Sequence, residues 1–373
     1  MGPLAGRSSG WQLAATRIIA VFLVTRLLLV GCALAVEAFV APQSAGPAGS
    51  SLRATDRPLL TSLTSWDAVY YLEIARDGYR AGPVNGPYPN TVFFPLYPTV
   101  VAATGPLVGG DLPLAAVLVS NVAGLAALFV VYALARRRLG MDAALLATTL
   151  VAVQPGAVAF GMAYSDSLFL LLAVGAILAA ERGQRPMAGG LGALAALTRL
   201  PGVLLLLPLL VLFVAADGRR PRISWLWGLG PVVGLVGAGL LVGRVTGDPL
   251  TLVTAQASWD LGAVPGAVAQ PWVLVVAALV YAPTVGIGLW LGYRRWRARR
   301  DPAGVAWALA NLGAVVVARR VASLPRYMAP VTQLAEQLAG GAHSRRTIGF
   351  VLSGATVGYV VLATLHFSLL LAP

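Results

Sequence analysis

Long runs of apolar residues, separated by short polar stretches, recur along almost the whole chain. Many runs approach the roughly 20 residues that an α-helix needs to cross a bilayer. Within a bilayer, the backbone of such runs must satisfy its hydrogen bonds inside helices. The pattern therefore predicts an all-α, polytopic integral membrane protein with about eleven crossings. We place these crossings near residues 14–39, 112–135, 143–160, 165–181, 187–199, 201–216, 223–244, 270–293, 303–321, 326–340 and 347–371.

Arginine clusters mark the turns that we expect to face the cytoplasm, where basic residues are preferred. They lie at 136–138, 182 and 185, 219–222, 294–300 and 345–346. A full crossing at 93–109 would put the first cluster on the wrong side, so we interpret that segment as re-entrant or interfacial. Residues 1–373 then form a single domain whose working face is extracytoplasmic. Two outer loops belong to that face, at 41–110 and at 245–269.

The first outer loop carries a carboxylate among aromatic rings, in the sequence SWDAVYY at 65–71. Apolar residues recur at helical spacing from Trp66 onward, which predicts an amphipathic interfacial helix. Ser65 is placed to cap this helix, and Asp67 then lies in its first turn, where the helix dipole favours an ionised carboxylate. Such a carboxylate can accept a proton. The alternative is that Asp67 only complements the dipole and that the rings form an interfacial aromatic belt.

Composition narrows the class of protein further. Hydrophobic residues make up 58% of the chain and charged residues only 11%, whereas soluble domains carry about 25% charged residues. The net charge of +13 comes entirely from arginine, and we assign it to loop orientation rather than to a nucleic-acid partner. The single cysteine, Cys32, lies in the first predicted span and can form no intrachain disulfide. The sequence shows no metal-ligand cluster and no Gly-rich phosphate loop, so we expect neither a metal nor a cofactor.

Five sequence elements, the first of which includes the WD sequence described above, follow one another along about residues 60–330. They are WD with paired tyrosines at 66–71 and FFPLYP at 93–98, YSDSLF at 164–169, TRLPG at 198–202, GDPL at 247–250 with Gln256 and Trp259, and LPRY at 324–327. Together they resemble the PIG-V family, the second mannosyltransferase of glycosylphosphatidylinositol assembly, and its bacterial relatives. The resemblance implies a glycosyltransferase class C fold, inverting transfer from a polyprenyl-phosphate sugar, and a catalytic aspartate in the first outer loop. Asp67 is the matching position.

General chemistry agrees with that role. A sugar hydroxyl must lose its proton as it attacks the anomeric carbon, and a well-placed carboxylate contributes about 10²–10⁴-fold to such a step. The leaving lipid phosphate gains negative charge, so arginines are required near it. The candidates for donor phosphate binding are Arg199, Arg320 and Arg326, and the sequence does not choose between Arg319 and Arg320.

The remaining candidates are side chains that we expect to contact the sugar or the acceptor: Trp66, Tyr70, Tyr71, Tyr164, Asp166, Gln256 and Trp259. Asp166 is either a helix N-cap or a group that orients a hydroxyl or an arginine. Arg199 either reaches the membrane interface or meets an anion. Gln256 and Trp259 share a helix face, whereas Asp248 reads as a turn residue. His343 and His366 receive no role.

The leading hypothesis is a plasma-membrane mannosyltransferase that takes its donor from the bilayer and an acceptor hydroxyl of a lipid, glycan or protein from outside. A secondary transporter is the main alternative, although it should carry polar groups near the bilayer midplane on broken helices. A non-catalytic membrane scaffold, whose arginines only neutralise lipid headgroups, is the third. The acceptor and the linkage stay open.

Overall fold

The computed structural model describes residues 3–39, 58–80, 82, 89–218, 220–258, 286, 290, 293–294, 301–317, 324–342 and 344–368. Every regular element within these residues is a helix, so the all-α fold class is confirmed. The α-helices are α1 (Pro3–Phe39), α2 (Pro58–Leu63), α3 (Asp67–Asp77), α4 (Leu96–Thr104), α5 (Leu112–Arg138), α6 (Met141–Val153), α7 (Asp166–Glu181), α8 (Arg185–Thr198), α9 (Leu206–Ala216), α10 (Gly230–Thr246), α11 (Thr251–Thr254), α12 (Pro302–Val317), α13 (Leu324–Met328), α14 (Gln333–Gly341) and α15 (Arg345–Phe367). Segments of 3₁₀ helix connect several of them.

Four helices in the described part of the chain are long and apolar enough to cross a membrane: Gly10–Phe39, Leu112–Arg138, Ile223–Thr246 and Arg345–Phe367. The second of these has 27 residues, which is about 40 Å at 1.5 Å per residue. That length exceeds the roughly 30 Å hydrocarbon core. Most of the span expected at 270–293 lies outside the described residues, and the number of crossings stays a prediction.

The segment interpreted as re-entrant forms α4 and a 3₁₀ turn, Gly105–Val108. Together they extend for only about 20 Å, which is shorter than the hydrocarbon core. The hydroxyl of Tyr97 fixes α4 to α5, because it lies 2.8 Å from Ser120 Oγ and donates to the Ala116 carbonyl at 3.0 Å. Although FFPLYP contains two prolines, which disfavour a helix interior, α4 starts at Leu96. Pro98 falls in its first turn, where the backbone N–H has no helical partner to lose.

Two predicted spans are interrupted by proline. The helix expected at 143–160 ends at Val153 and continues as the 3₁₀ segment Pro155–Phe160. The span expected at 326–340 divides into α13 and α14, with Pro330 between them. Proline lacks the N–H that a continuous helix needs, which accounts for both breaks. The first break lies shortly before Asp166 in the chain, and the second lies shortly after Arg326.

The bundle has two polar ends, separated by the length of α7. This helix begins at Asp166 and ends at Glu181, and α8 returns from Arg185 to Thr198. Arg138 meets three carboxylates at the Glu181 end: those of Glu181, Asp301 at 3.3 Å and Glu336 at 2.9 Å. Arg138 belongs to one predicted arginine turn and Glu181 directly precedes Arg182 of another, so we name this the arginine-rich end. Asp166 and Arg199 lie at the opposite end.

Close packing of α8 against α10 depends on small residues. A Cβ atom at Gly234 would lie 2.1 Å from the carbonyl oxygen of Ala193, and one at Gly230 would lie 2.0 Å from that of Gly189. Small residues at such interfaces let helix backbones approach within van der Waals contact. The pairing fixes the direction of α8 and therefore the position of Arg199 at its end.

Candidate active site

Asp67 begins α3 directly after a strained residue. Trp66 has φ 58° and ψ −122°, and it is the only non-glycine residue with positive φ in the described part of the chain. The amide of Ala68 donates to the Ser65 carbonyl at 3.3 Å, so residues 65–68 resemble a type II′ turn with tryptophan where glycine is preferred. Strain of this kind persists where the surrounding structure imposes it, often at functional sites. In this protein the strained turn at Trp66 sets the direction in which α3, and with it Asp67, begins.

The expected cap by Ser65 is not formed. The hydroxyl of Ser65 donates to the Ser62 carbonyl at 2.9 Å, and no side chain caps α3. The Ser65 carbonyl accepts a hydrogen bond from the Tyr164 hydroxyl at 3.1 Å. The turn before Asp67 is therefore held by tertiary contacts rather than by a local cap, which the sequence alone could not show.

Asp166 occupies the first turn of α7, and its side chain is only 4% exposed. Ser165 stands at the N-cap position without capping the helix; its hydroxyl lies 2.7 Å from that of Tyr71. The chain before it is anchored on two sides, since Ala163 N donates to the Leu63 carbonyl and Ser120 Oγ donates to the Tyr164 carbonyl, both at 2.9 Å. The N-cap interpretation of Asp166 is therefore wrong, because its carboxylate binds arginines instead.

Arg326, from α13, joins the two aspartates. Its Nε donates to both carboxylate oxygens of Asp166 at 2.8 and 2.9 Å, and its Nη2 donates to Oδ2 at 2.7 Å. Its Nη1 donates to Oδ2 of Asp67 at 2.5 Å. The guanidinium carbon also lies 4.7 Å from the centre of the Tyr164 ring. One buried arginine thus fixes the spacing of both carboxylates.

Arg199 completes the cluster from the end of α8. Its guanidinium forms an ion pair with Asp166 and lies about equally far from the rings of Phe169, at 6.0 Å, and Tyr327, at 5.9 Å. Of the two alternatives for Arg199, the structure shows the one in which it meets an anion. The four residues Asp67, Asp166, Arg199 and Arg326, which we call the Asp–Arg cluster, carry two charges of each sign. Buried charges at this depth require such pairing.

Asp67 is the most accessible member of the cluster. Its side chain is 17% exposed, compared with 8% for Arg326 and 4% for Asp166. Arg326 holds its Oδ2, and its Oδ1 accepts no hydrogen bond from any described residue. A carboxylate with one anchored oxygen and one open oxygen is suited to accept a proton from a bound hydroxyl.

The aromatic residues of α3 are more deeply buried than expected. Residues 68–74 are all buried, because α3 packs against α4 and α5 within the bundle. The helix is therefore enclosed on most sides, unlike an interfacial helix with one apolar face. The Tyr70 ring stacks on Phe93 at 4.9 Å, and Tyr71 meets Phe93 and Tyr97 edge-on. Trp66 is only half-buried.

Burial raises the pKa of the Tyr71 hydroxyl to about 12, and the nearby carboxylates of Asp67 and Asp166 act in the same direction, while Arg199 and Arg326 oppose it. Tyr71 is therefore protonated at neutral pH. Its hydroxyl pairs with Ser165, next to Asp166. The structure thus shows a framework contact for Tyr71, and Tyr164, which is fully buried, makes another through Ser65.

The remaining predicted residues lie apart from the cluster or outside the described residues. Gln256 Nε2 donates to the Val92 carbonyl at 2.7 Å, which ties the second outer loop to the first. Asp248 accepts from Leu250 N at 2.9 Å just before α11, so its interpretation as a turn residue is confirmed. Arg319, Arg320 and Trp259 lie outside the described residues.

Sequence reasoning missed two polar residues, of which His366 lies next to the turn that precedes Asp67. His366, which received no role, is fully buried; its Nε2 lies 3.4 Å from Ser65 Oγ, and its ring centre lies 6.2 Å from that of Trp66. Arg26, inside the first span, donates from Nε to Asn121 Oδ1 at 2.6 Å and from Nη2 to the Phe160 carbonyl at 3.2 Å. A charged residue in a membrane helix was the signal that could have identified Arg26.

Known proteins share this architecture. Residues 95–241 match the family described as dolichyl-phosphate-mannose-protein mannosyltransferase. ArnT from Cupriavidus metallidurans, solved bound to undecaprenyl phosphate, is similar with a TM-score of 0.55 and 19% identity, over 97% of this chain and 76% of that one. No curated protein sequence matches the chain.

Two structures from Archaeoglobus fulgidus are also similar. The oligosaccharyltransferase tethered with an acceptor peptide has a TM-score of 0.51 and 15% identity, over 95% of this chain. The oligosaccharyltransferase AglB in complex with an inhibitory peptide and a dolichol-phosphate has a TM-score of 0.51 and 17% identity, over 94% of this chain. Our chain spans only 56% of the length of each. The fold is that of the glycosyltransferase class C membrane enzymes, and the family match supports a glycosyltransferase.

Proposed function

We propose that this protein is an inverting glycosyltransferase that moves mannose from a polyprenyl-phosphate-linked donor to an acceptor hydroxyl at the extracytoplasmic face of the plasma membrane. The observation that carries the proposal is the state of the Asp67 carboxylate, with Oδ2 held by Arg326 and Oδ1 accepting no hydrogen bond from the described residues. This carboxylate lies at the end of the bundle opposite the arginine-rich end, which we infer faces the cytoplasm.

The proposed reaction uses Asp67 as the general base. An acceptor hydroxyl donates a hydrogen bond to Asp67 Oδ1, and its oxygen attacks the anomeric carbon from the face opposite the phosphate. The proton passes to the carboxylate as the new glycosidic bond forms. The electron pair of the old bond leaves with the polyprenyl phosphate, so the configuration at the anomeric carbon inverts. Arg326 keeps Oδ1 directed at the acceptor throughout.

The leaving phosphate needs positively charged partners. The arginines of the Asp–Arg cluster are already partly engaged by carboxylates, which limits how much of the phosphate they can bind. All three nitrogens of Arg326 already donate to carboxylates, although a guanidinium has five N–H groups and two remain for other acceptors. The positive charges of Arg199 and Arg326 are balanced by Asp67 and Asp166. We therefore assign part of the phosphate binding to Arg199 and Arg326 and the rest to Arg320.

Support for the donor comes from the comparisons. The matched family is named for dolichyl-phosphate-mannose, ArnT was solved with undecaprenyl phosphate and AglB with a dolichol-phosphate. All three names contain a polyprenyl-type phosphate carrier. The mannose assignment rests on the family description and on the PIG-V resemblance, and the acceptor is left open among lipid, glycan and protein hydroxyls.

The test is transfer of radiolabelled mannose from polyprenyl-phosphate mannose in membranes containing the wild-type chain, Asp67→Asn or Asp77→Asn. Asp77 is a matched control, because it lies on the same helix and its carboxylate pairs with Arg76 at 2.9 Å outside the cluster. We expect Asp67→Asn to reduce transfer by about 10²–10⁴-fold, with Asp77→Asn close to wild type. Isolation of the labelled product identifies the acceptor.

Both carboxylate variants should be expressed and should unfold near the wild-type temperature. Full transfer by Asp67→Asn would rule out the base assignment. Absence of transfer by the wild-type chain from every polyprenyl-phosphate hexose supplied would contradict the glycosyltransferase itself.

A further inference from the structure

A cavity of about 650 Å³ lies between α1, α6, α14 and α15, at the arginine-rich end of the bundle. This volume falls within the roughly 300–1,000 Å³ typical of small-molecule pockets. Its walls are mostly apolar and include Ile18, Val21, Leu145, Leu146, Ala339 and Ile348. The Asp–Arg cluster lies at the other end of the bundle, so this cavity is separate from the proposed chemistry. We call it the α1–α6 groove.

The two threonine hydroxyls of the groove already have hydrogen-bond partners. The hydroxyls of Thr148 and Thr149, which line it, donate to the carbonyls of Ala144 and Leu145 in their own helix at 2.8 and 2.9 Å. Ala20 and Gly340 also line the groove and are exposed, so it opens on the outer surface of the helices. An apolar wall that opens toward lipid suits a hydrocarbon chain better than a polar solute.

Exposed arginines lie at the mouth of the groove or within one helical turn of a residue that lines it. Arg17 lies at its edge with its side chain 54% exposed, and its contact with Asp142 is a loose one of 3.9 Å. Arg345 lies three residues before Ile348 and therefore above it on the same face of α15. Arg345 and Arg346 are exposed, and neither pairs with a carboxylate of the described residues. Of the charged residues, Arg17 and Asp142 line the groove itself, and Arg345 and Arg346 begin the helix that contributes Ile348 to its wall.

We propose that the α1–α6 groove binds a phospholipid with an anionic headgroup, taken from the leaflet at the arginine-rich end. One acyl chain lies along the apolar wall, and the phosphate is held between Arg17 and the arginines that begin α15. Basic pockets between membrane helices recognise anionic headgroups in this way, because electrostatic attraction is added to hydrocarbon burial. Occupancy would tie α1 and α15 to α6.

The experiment measures thermal unfolding of the purified full-length protein in detergent, titrated with phosphatidylglycerol or with phosphatidylcholine of the same acyl chains. A ligand that binds only the folded state raises the unfolding temperature with concentration. We expect phosphatidylglycerol to stabilise the wild type much more than phosphatidylcholine. In Arg345→Gln/Arg346→Gln, the apparent affinity for phosphatidylglycerol should fall about 30-fold, since each arginine near an anionic headgroup contributes roughly fivefold.

The matched control is Arg182→Gln/Arg220→Gln, which removes two exposed arginines from the same end without touching the groove. It should respond to phosphatidylglycerol like the wild type. Equal stabilisation by both lipids, or equal loss in both double variants, would overturn the proposal, because the effect would then be a general response to charge.

A second variant tests the groove itself. A Cβ atom at Gly340 would meet only Leu139 Cδ2, at 3.4 Å, so Gly340→Leu should fold while filling part of the cavity. We expect it to lose most of the stabilisation by phosphatidylglycerol while keeping both arginines. Undiminished stabilisation would show that no acyl chain enters the groove. Should Gly340→Leu fail to fold, the comparison of the two double-arginine variants still decides the proposal.

Discussion

Arg326 donates from Nη1 to Oδ2 of Asp67 at 2.5 Å, although 259 positions separate the two residues in the chain. The same guanidinium binds Asp166, so a single side chain connects α3, α7 and α13. Removing this connection should affect stability and catalysis differently, depending on which partner is changed.

Asp166→Asn should destabilise the fold. The substitution leaves Arg199 and Arg326 buried with one carboxylate between them, and removing one partner of a buried ion pair costs about 3–5 kcal/mol. Thermal unfolding in detergent measures the loss. Asp67→Asn is the matched comparison, because Asp67 lies at the exposed edge of the cluster and Arg326 keeps Asp166. Equal shifts for the two variants would contradict this division of roles.

Arg326→Lys should impair transfer more than it impairs folding. Lysine keeps the charge but cannot donate to both carboxylates with the planar geometry of a guanidinium. A displacement of about 1 Å at a reacting group can cost about 10²-fold in rate, and we expect a loss of that size in mannosyl transfer. The control is Arg76→Lys on α3, whose side chain is 62% exposed. Wild-type transfer by Arg326→Lys would show that Asp67 needs no such anchor.

Substitution of Trp66 should reveal the strained turn. At φ 58° and ψ −122° glycine is far more favourable than alanine, so Trp66→Gly should unfold at a higher temperature than Trp66→Ala. The free energies of unfolding of the two variants should differ by about 1 kcal/mol, in keeping with the strain of such conformations. The same pair of substitutions at Arg76, within α3, should give the opposite order. Identical stability of the two Trp66 variants would mean that the turn relaxes without the indole.

We expect Asp217, at the arginine-rich end, to make a pH-dependent contribution to the stability of the folded protein. Arg185 donates to its Oδ1 at 2.8 Å, and this hydrogen bond, with a second from Trp225, holds the pKa of Asp217 below its usual value. A lowered pKa in the folded state adds stability above the unfolded pKa of about 4, and that stability is lost as pH falls through the folded pKa. The difference in unfolding temperature between wild type and Asp217→Asn should therefore shrink below about pH 4. A constant difference between pH 7 and pH 3 would contradict the assignment.

Local sequence predicted the helices well where a single property, the hydropathy of a continuous run, determined where a helix forms. Apolar runs gave the long helices, since partition into a bilayer depends on residues within one window of about 20. Arginine clusters predicted turns at 136–138 and at 182, and the structure brings Arg138 to Glu181 between α5 and α7. The effect of each proline on its helix was harder to predict from sequence. Pro155 and Pro330 interrupt expected spans, whereas Pro98 is accommodated in a first helical turn. The outcome depends on the position of each proline within its helix.

The residues of the candidate site were likewise predicted in part from sequence, whereas their arrangement was not. Sequence motifs, charge placement and the family resemblance named Asp67, Asp166, Arg199 and Arg326 within a larger set of candidates. Only the tertiary structure brought them into one cluster, enclosed Tyr70 and Tyr71, and placed His366 next to Ser65 and Trp66. Contacts between residues hundreds of positions apart follow from how helices pack against one another, and that packing leaves no signal in any local stretch of sequence.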